Sequence, residues 1–529
     1  MLASGLMEGD LSWPLVRASR LRPDAPAIVD GSRAVTYAEL ARRVAALGGA
    51  FDVLRVGRGA RVGILASNSL AHVECFIGVP SFGRVVVSLN VRLPEDELAF
   101  IVDDAGIAAL LTDAEHLPVA QALADRCSSL VKVVVAGEPS APTDCLSYEG
   151  LIEESPVLAF GGIESGLAAI SYTGGTTGRP KGVMLTHRNL LANARHNLMA
   201  TRHASSDRWL HVCPMFHVAG TANLLAATWV GATQVVLPRF EADAVLRAIE
   251  EQRITHTILV PTMLRMLLDH PARGAADLSS LRHVQYAASP IAPELQRRVL
   301  EALPCDVAQF YGMTEAAATV THLSAGDHRR GQAGEEPFRT RLRSMGTAVV
   351  GVQAEVRDDE GTALPPGEVG EVWVRGPNIM LGYWQRPDAT DAALIDGWYR
   401  TGDAAYADDE GYLFLVDRLK DMIITGGENV YSIEVEAALL EHHAVLEAAV
   451  FGIPDERWGE AVHAVVTVRP GTVVDGDDLI AHCRALIAGF KVPRSVEARD
   501  EPLPRSGAGK TLKNGLREPF WAAHDRAIG

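Results

Sequence analysis

The sequence predicts an α/β fold, with a large N-terminal domain of several α/β subdomains and a small, mobile α+β domain at the C-terminus. The chain has 529 residues, which is too long for a single hydrophobic core. Short β-branched runs alternate with helical patterns through most of the chain, as in βαβ units. The pattern changes towards the end, so we predict domains at 1–417 and 418–529, with a hinge near 417–420.

The N-terminal part alternates predicted strands with predicted helices. Strand patterns cover 61–65 and 85–89, and helical patterns lie near 71–83 and 95–104. Short β-branched runs return further along the chain, at 109–111, 131–135, 209–213, 233–237, 256–260 and 283–287. Strands separated by helices of this length indicate a parallel sheet.

The last part of the chain predicts antiparallel strands and then a small α+β unit. The antiparallel patterns lie at 367–374 and 412–416. Ser432 is predicted to cap the first helix of the small unit. The buried face of that helix would carry Ile433, Ala437 and Leu440. Two strands and a second helix follow, at 448–452, 461–468 and 477–488.

Composition excludes several classes of protein. The net charge of −17 argues against nucleic-acid binding, which needs a basic face. One local basic cluster is either a solvated loop or a patch for a phosphate-bearing cosubstrate or a membrane surface; it comprises Arg329, Arg330, Arg339, Arg341 and Arg343. Six scattered cysteines predict neither disulfides nor a zinc site. With no secretory signal pattern and no membrane-spanning apolar run, we expect a cytoplasmic protein, either a monomer or a homodimer.

A strand pattern at 168–172 runs into a segment that suits phosphate binding. The segment is rich in glycine and threonine and contains Thr173, Gly174, Gly175, Thr176, Thr177, Gly178 and Lys181. Glycines let backbone N–H groups converge on an anion, threonine hydroxyls add donors, and Lys181 supplies positive charge. The spacing does not match the Walker A loop. The chain has only six lysines, at 132, 181, 420, 491, 510 and 513. The rarity of lysine is a further reason to assign Lys181 a role in phosphate binding.

Residues 172–182 resemble the phosphate motif of the AMP-forming adenylate enzyme superfamily, with Gly174 in place of the usual serine. Further motifs of that family follow in the same order over nearly the whole chain, at 214–220, 311–315, 399–403, 417–421, 422–431 and 504–510. The resemblance is closest to fatty-acyl-CoA ligases. It implies ATP, Mg²⁺ and coenzyme A as substrates and cofactors, and a carboxylic acid as the acyl substrate.

The resemblance also implies a role for individual residues. Tyr311 would lie against adenine, Thr314 would bind the α-phosphate and Glu315 would hold Mg²⁺. The remaining implied site residues are Asp403 and Arg418 at the ribose, Ser289 beside the nucleotide, Lys420 at the hinge, His217 as a gate to the thiol channel, Gly426 and Gly427 in the pantetheine hairpin, and Lys510 as the adenylation lysine.

A physical argument that does not depend on the resemblance also supports the role of Lys510 in adenylation. A carboxylate must attack a phosphate while both groups are anionic, and a cation between them stabilises the crowded transition state. The implied acyl pocket, at 217–221, 285–290 and 316–320, lacks Lys and Arg, which disfavours a dicarboxylate. A fatty acid is the favoured substrate, while aryl and steroid acids stay open. Delivery of the acyl group to a carrier protein instead of coenzyme A is the alternative.

Overall fold

The computed structural model describes residues 9–137, 145–161, 166–173, 179–419, 421–426, 428–469, 471–472, 474–505 and 511–522. In these residues, β-strands assemble into four sheets with helices packed between and around them. Three of the sheets are built by residues up to 418, and the fourth begins at residue 423.

The strands follow one another along the chain from residue 26 to residue 499. They are β1 (Pro26–Asp30), β2 (Arg33–Thr36), β3 (Arg61–Leu65), β4 (Val85–Ser88), β5 (Ile107–Asp113), β6 (Lys132–Ala136), β7 (Leu146–Ser147), β8 (Leu167–Thr173), β9 (Lys181–Thr186), β10 (Arg208–His211), β11 (Thr233–Val236), β12 (His256–Leu259), β13 (His283–Tyr286), β14 (Asp306–Tyr311), β15 (Thr321–Leu323), β16 (Thr347–Ala348), β17 (Gln353–Arg357), β18 (Gly370–Arg375), β19 (Gly382–Tyr383), β20 (Leu394–Ile395), β21 (Trp398–Ala407), β22 (Leu413–Arg418), β23 (Ile423–Thr425), β24 (Glu428–Val430), β25 (Val445–Asp455), β26 (Gly459–Val468) and β27 (Ser495–Arg499).

The α-helices lie mainly between these strands. They are α1 (Trp13–Leu21), α2 (Tyr37–Val53), α3 (Leu70–Ser81), α4 (Glu95–Ala105), α5 (Leu117–Arg126), α6 (Tyr148–Glu154), α7 (His187–Thr201), α8 (Val218–Thr221), α9 (Leu224–Val230), α10 (Ala242–Glu251), α11 (Pro261–Asp269), α12 (Pro293–Ala302), α13 (Ala325–Gln332), α14 (Phe338–Arg341), α15 (Pro387–Ala393), α16 (Ser432–Leu440), α17 (Gly476–Leu486) and α18 (Lys513–Trp521). Short 3₁₀ turns cover Pro271–Gly274 and Thr314–Ala316.

The first sheet has the order β16-β15-β14-β13-β12-β10-β11-β1-β2. Its centre, from β14 to β1, is parallel, and both edges are antiparallel. The second sheet has the order β19-β9-β8-β4-β3-β5-β6-β7 and ends in the antiparallel strands β8, β9 and β19. A large core containing Leu40, Val44, Val62, Ile77 and Val236 connects the two sheets through α2 and α3.

The third sheet, β17-β18-β21-β20 with β22 beside β21, is antiparallel. The fourth sheet, β24-β23-β26-β25, also pairs β27 with β26 in parallel across α17. The α/β fold class with a small α+β C-terminal unit is therefore as predicted, because burial of alternating strand and helix faces dictates the layers. The exact domain boundary at 417/418 stays a prediction.

The predicted buried face of α16 was wrong. Ser432 is the first residue of the helix rather than its cap, and its hydroxyl donates to the Asp417 carboxylate instead. The apolar side chains that α16 buries are Val435, Ala438 and Leu439, which share one face at the i, i+3, i+4 spacing. Ala437 is exposed and Ile433 is only partly buried, whereas Leu440 is partly buried against the core of the C-terminal unit, so the predicted face is only partly the buried one.

The arginine cluster is engaged mainly within the protein. Arg329 pairs with Asp306, and Arg330 pairs with Glu335 at 2.8 Å. Arg341 is buried and binds the carboxylates of the turn before β22. Three of the five arginines thus form ion pairs within the fold, and Arg341 is buried rather than solvated, so the interpretation as a solvated loop does not hold for it.

The six cysteines are all free thiols. Within the described ranges, no helix combines the length and apolarity that crossing a membrane requires.

Candidate active site

The carboxyl ends of neighbouring parallel strands place four of the predicted residues on one edge of the first sheet. The loop after β10 carries His217, the loop after β13 carries Ser289, and the turn after β14 carries Thr314 and Glu315. Open α/β sheets bind ligands at this edge. The topology therefore brings together residues that are up to about 100 positions apart in the chain.

Tyr311, Asp403 and Arg418 form a connected group at the end of β14. The Tyr311 hydroxyl donates to Asp403 Oδ2 at 2.6 Å, and Arg418 Nε lies 3.5 Å from Asp403 Oδ1. Asp403 and Arg418 face each other in the register of β21 and β22. Burial and the adjacent carboxylate raise the pKa of Tyr311 well above its usual value, so its hydroxyl remains a donor. Each carboxylate oxygen has a second lone pair for a ligand hydroxyl.

The turn that carries Glu315 is held by close backbone packing. At Gly312 a Cβ atom would lie 1.7 Å from the Ala318 carbonyl oxygen, so only glycine fits there. The Glu315 carbonyl accepts the backbone N–H of Met380 at 2.8 Å. Its carboxylate accepts the Tyr383 hydroxyl through Oε1 at 3.0 Å. Segment 380–383 therefore holds Glu315 at both its backbone carbonyl and its carboxylate.

Glu315 suits a magnesium ion held mostly by phosphate oxygens. Within the part of the chain that the structure describes, no group of three or more His, Cys, Asp or Glu side chains is arranged around a metal position. Mg²⁺ commonly takes one or two carboxylates and completes its octahedron with phosphates and waters. A single carboxylate with one oxygen fixed by Tyr383 fits that kind of binding.

The predicted phosphate segment connects β8 to β9, and these two strands form an antiparallel hairpin. Thr173, the last residue of β8, pairs with Lys181, the first residue of β9, and the Thr173 hydroxyl donates to the Lys181 carbonyl at 3.5 Å. Gly174, Gly175, Thr176, Thr177 and Gly178 lie outside the described residues. The Lys181 ammonium is 5.3 Å from the centre of the Tyr383 ring.

Two anchors hold this hairpin in place. Tyr383 pairs with Val183 through the β19–β9 ladder, and the backbone N–H of Trp384 donates to the Gly182 carbonyl at 2.7 Å. On the other strand, the Tyr172 hydroxyl donates to Asp104 Oδ2 at 2.6 Å. The first anchor makes Tyr383 a common neighbour of Lys181 and Glu315, the predicted phosphate and metal ligands.

The loop that carries His217 is tied to the second sheet by Asn68. The Asn68 amide donates to the Cys213 carbonyl at 3.0 Å and accepts the Met215 N–H at 2.8 Å. At Gly220 a Cβ atom would lie 2.1 Å from the Pro214 carbonyl oxygen, so the turn into α8 requires glycine. A small cavity adjoins this loop; it is lined by Phe76, Ser88, Ala169, Ser171, Leu185, Leu190, Met215, Phe216, His217, Val218 and Thr221.

In the C-terminal unit, only part of the predicted site is described. Gly426 has φ +62° in the β23–β24 hairpin, and a Cβ atom there would lie 2.6 Å from the Trp458 ring. Lys420, Gly427 and Lys510 lie outside the described residues, so their placement stays a prediction. The residue that precedes the Lys510 loop, Arg505, pairs with Glu447.

A buried polar cluster connects β22 to the C-terminal unit. The Asp417 carboxylate accepts the N–H and the hydroxyl of Ser432, the latter at 3.1 Å. Lys513 Nζ lies 2.6 Å from both Ser432 Oγ and Glu436 Oε1. Burial opposes a charged Lys513, but the Glu436 and Asp417 carboxylates outweigh it and raise the lysine pKa. We define these four residues as the Asp417 cluster.

Sequence reasoning missed Tyr383, Asn68 and Asp104. Each acts through a partner more than 60 positions away, which no local pattern reveals. The one sequence signal for Tyr383 was the Gly-Tyr-Trp run at 382–384, since glycine beside two aromatic residues often marks close backbone packing.

Comparison with known proteins identifies the class. A family model described as AMP-binding enzyme matches residues 15–384, and a model of the AMP-binding enzyme C-terminal domain matches residues 434–510. The chain therefore belongs to the AMP-binding enzyme family of AMP-forming adenylate enzymes, as its motifs predicted. It is an AMP-forming acid–CoA ligase, with an activity that proceeds through adenylation of an acyl or aryl acid.

Among its relatives, the feruloyl-CoA synthase of an Amycolatopsis species is 42% identical over 96% of this chain and 98% of its own length. The medium/long-chain-fatty-acid–CoA ligase FadD8 of Mycobacterium tuberculosis is 36% identical over 97% of this chain and 91% of its own. The structure of the anthranilate CoA ligase AuaEII with anthranoyl-AMP aligns with a TM-score of 0.88 at 28% identity, covering 97% and 98% of the two chains.

Proposed function

We propose that this ligase activates an aromatic monocarboxylic acid with ATP and transfers the acyl group to coenzyme A. The observation that carries the choice of an aromatic acid is the 42% identity to a feruloyl-CoA synthase over 96% of the chain. The fatty acid favoured by the sequence motifs is the second candidate, and the 36% identity to a fatty-acid ligase supports it.

In the proposed first half-reaction, an oxygen of the acid attacks the α-phosphorus of ATP. A P–O bond to the acid forms, the bond to the β-phosphate oxygen breaks, and pyrophosphate leaves with acyl-AMP still bound. Lys181 and Thr314 are proposed to bind phosphate oxygens, and Lys510 to neutralise the two approaching anions. Mg²⁺ held at Glu315 would supply positive charge to the departing pyrophosphate.

Nucleotide orientation is assigned to the group at the end of β14. The Asp403 carboxylate, fixed between Tyr311 and Arg418, is proposed to accept the ribose hydroxyls. Tyr311 would present its ring to adenine and Ser289 would lie beside it. Holding the sugar rigidly orients the α-phosphate for in-line attack, which lowers the entropic part of the barrier.

In the proposed second half-reaction, the thiol of coenzyme A attacks the acyl carbon of acyl-AMP. The C–S bond forms, the C–O bond to AMP breaks, the thiol proton goes to solvent and AMP leaves. Rotation of residues 418–529 about the hinge at 417–420, with Lys420 at its centre, is proposed to withdraw Lys510 and bring in the hairpin of Gly426 and Gly427. His217 is proposed to gate the thiol path.

The central test measures both half-reactions in Lys510→Ala. Pyrophosphate release from ATP and the acid is expected to fall below detection, because the two anions lose their bridging cation. Thioester formation from supplied acyl-AMP is expected to stay within about threefold of the wild type, since that step does not need the cation. Lys132→Ala, a change on β6, is the matched control and is expected to preserve both steps. Equal loss of both steps in Lys510→Ala contradicts the proposal.

A panel of acids separates the candidate substrates. Pyrophosphate release and CoA thioester formation are measured with straight-chain, aromatic and polycyclic acids. Aromatic acids are expected to give the highest kcat/KM. A 36% identical fatty acid–[acyl-carrier-protein] ligase from Streptomyces coeruleorubidus supports a carrier protein as the alternative acceptor. Release of AMP and pyrophosphate without thioester in the presence of coenzyme A would favour that acceptor.

A further inference from the structure

The antiparallel pairing of β18 with β21 is interrupted by a bulge. Glu371 on β18 pairs with Ala404, but two residues later Trp373 pairs with Arg400. A single residue of β18 therefore lies opposite three residues of β21, 401–403. Such a bulge leaves backbone groups outside the ladder and redirects the side chains that it carries. The last residue of this bulge is the aspartate that the proposed function assigns to the ribose.

Two backbone N–H groups of the bulge find their acceptors in side chains. The Gly402 N–H donates to Glu371 Oε1 at 2.9 Å, and the Asp403 N–H donates to Thr401 Oγ1 at 3.1 Å. The Thr401 hydroxyl in turn donates to the Val372 carbonyl at 2.8 Å. Gly402 has φ +71°, a conformation that favours glycine. Because an N–H group that leaves the ladder needs another acceptor, these bonds fix the path of the bulge.

Glu371 is a buried carboxylate, and both of its oxygens accept hydrogen bonds. Its exposed fraction is 6%. Beside the bond of Oε1 to the bulge, Oε2 accepts from Arg400 Nε at 2.8 Å and from Trp373 Nε1 at 3.2 Å. Burial of a charged pair is costly, and an apolar side chain of similar volume often serves packing as well or better. The carboxylate is therefore explained by the backbone N–H that it binds rather than by packing.

The bulge leads directly into the group at the end of β14. Asp403 Oδ2 accepts the Tyr311 hydroxyl at 2.6 Å, and Asp403 Oδ1 lies 3.5 Å from Arg418 Nε. The Gly402 carbonyl also accepts the backbone N–H of Leu419 at 2.9 Å, which ties the chain beyond β22 to the same turn. A displacement of about 1 Å of a substrate-positioning group can cost on the order of 100-fold in rate. The direction of the Asp403 carboxylate therefore depends on the acceptor that fixes Gly402.

We propose that Glu371 is a positioning residue for the nucleotide, because it holds the bulge that directs the Asp403 carboxylate towards the two ribose hydroxyls. The proposal rests on the proposed function, which assigns the ribose to Asp403. Glu371 acts through the backbone of Gly402 and not by contact with the nucleotide. Loss of its carboxylate therefore weakens the use of nucleotides that carry ribose hydroxyls and spares nucleotides that lack them.

The test compares ATP with 2′,3′-dideoxy-ATP, which lacks both ribose hydroxyls, in the pyrophosphate-release assay. The wild type is expected to use ATP with about tenfold or higher kcat/KM, since the dideoxy nucleotide leaves the Asp403 carboxylate without its two donors. Glu371→Gln keeps the volume of the side chain, but its NH₂ group must face either Gly402 or Arg400, and the donor that it faces loses its acceptor. In this variant kcat/KM for ATP is expected to fall about tenfold through a higher KM, while kcat/KM for the dideoxy nucleotide stays within about threefold of the wild type.

Further variants separate positioning from stability. Thr401→Val removes the acceptor of the Asp403 N–H without changing Glu371, and it is expected to reduce the ratio between the two nucleotides in the same way. In Asp403→Asn the ratio is expected to be lost already, so adding Glu371→Gln changes it no further. Glu355→Gln is the matched control, because Glu355 lies on β17 of the same sheet and pairs with Arg357 at 2.7 Å. Its loss is expected to leave the ratio unchanged.

The outcomes distinguish the proposal from the function on which it rests. An unchanged ratio in a folded Glu371→Gln or Thr401→Val variant overturns the proposal, and so does an equal loss of kcat/KM for both nucleotides, which is what a purely structural role gives. Failure of both variants to fold, followed by tryptophan fluorescence, overturns it as well, because the bulge would then serve the stability of the sheet. A ratio near one in the wild type, or a wild-type ratio in Asp403→Asn, would instead overturn the assignment of the ribose to Asp403. Failure to release pyrophosphate with any acid would overturn the proposed function itself.

Discussion

Mild acid is expected to destabilise the N-terminal part of this protein, because buried histidines of the first sheet are neutral when it is folded. Burial lowers the pKa of His211, His256 and His283 from 6.5 to about 4 in each case. Unfolding returns each imidazole to an ordinary pKa near 6.5. The unfolded chain then binds more protons, so stability is complete above pH 6.5 and is lost as the pH falls towards 4.

The size of the effect follows from the pKa differences. At pH 5.5 each unfolded imidazole is about 90% protonated while the folded one remains almost neutral, which removes about 1.4 kcal/mol per residue. Three residues together give about 4 kcal/mol, a large share of the ~5–15 kcal/mol that stabilises a typical domain. The nearest carboxylate, Asp207, lies 3.7 Å from His256 Nε2 but is already paired with Arg282, so it offsets little of this cost.

Urea unfolding at pH 7.5, 6.5 and 5.5, followed by tryptophan fluorescence, measures this loss. His283→Gln removes one titrating group and is expected to reduce the loss between pH 7.5 and 5.5 by about 1.4 kcal/mol. A free energy of unfolding that stays constant from pH 7.5 to 5.5 would refute the reasoning, because it would mean that these imidazoles are protonated equally in both states.

Two further substitutions test contacts described above. Tyr383→Phe keeps the ring beside Lys181 but removes the hydroxyl that orients Glu315. The apparent dissociation constant for Mg²⁺, measured by titrating Mg²⁺ in the pyrophosphate-release assay, is expected to rise three- to tenfold, about 1 kcal/mol, with little change in the urea midpoint. An unchanged Mg²⁺ titration would exclude an orienting role. Arg43→Met leaves the fully buried Glu74 carboxylate without its 2.5 Å partner and is expected to cost about 3–5 kcal/mol in urea unfolding, most of it recovered by adding Glu74→Leu. A loss below about 1 kcal/mol for Arg43→Met would show that Glu74 is folded in its protonated form.

Much of the fold follows from local pattern. The strands at 61–65, 85–88, 233–236 and 256–259 lie where β-branched runs predicted them, because such runs bury well only in a sheet. The strand-end positions of the site follow in turn, since parallel strands align their carboxyl ends. The helix phase at α16 did not follow, because Ser432, the expected cap, is used by a carboxylate 15 residues earlier.

The candidate site was predictable where its chemistry is concentrated in short motifs. The residues around Tyr311 and Asp403 meet at the end of β14, although 92 positions separate them. Tyr383 and Asn68 were missed for a physical reason. The sequence does not show which hydrogen-bonding partner a polar side chain finds; only the fold shows it.

The Asp417 cluster has a consequence for the timing of catalysis. Its carboxylate lies on the last strand of the third sheet, whereas Ser432, Glu436 and Lys513 belong to helices of the C-terminal unit. In the proposed rotation about residues 417–420, Asp417 would separate from Ser432 and from the nearby Lys513 charge, while Lys513 would keep its contact with Glu436. The attraction between these charges would oppose the rotation. The conformational step of the cycle would therefore become faster at high ionic strength, which screens that attraction.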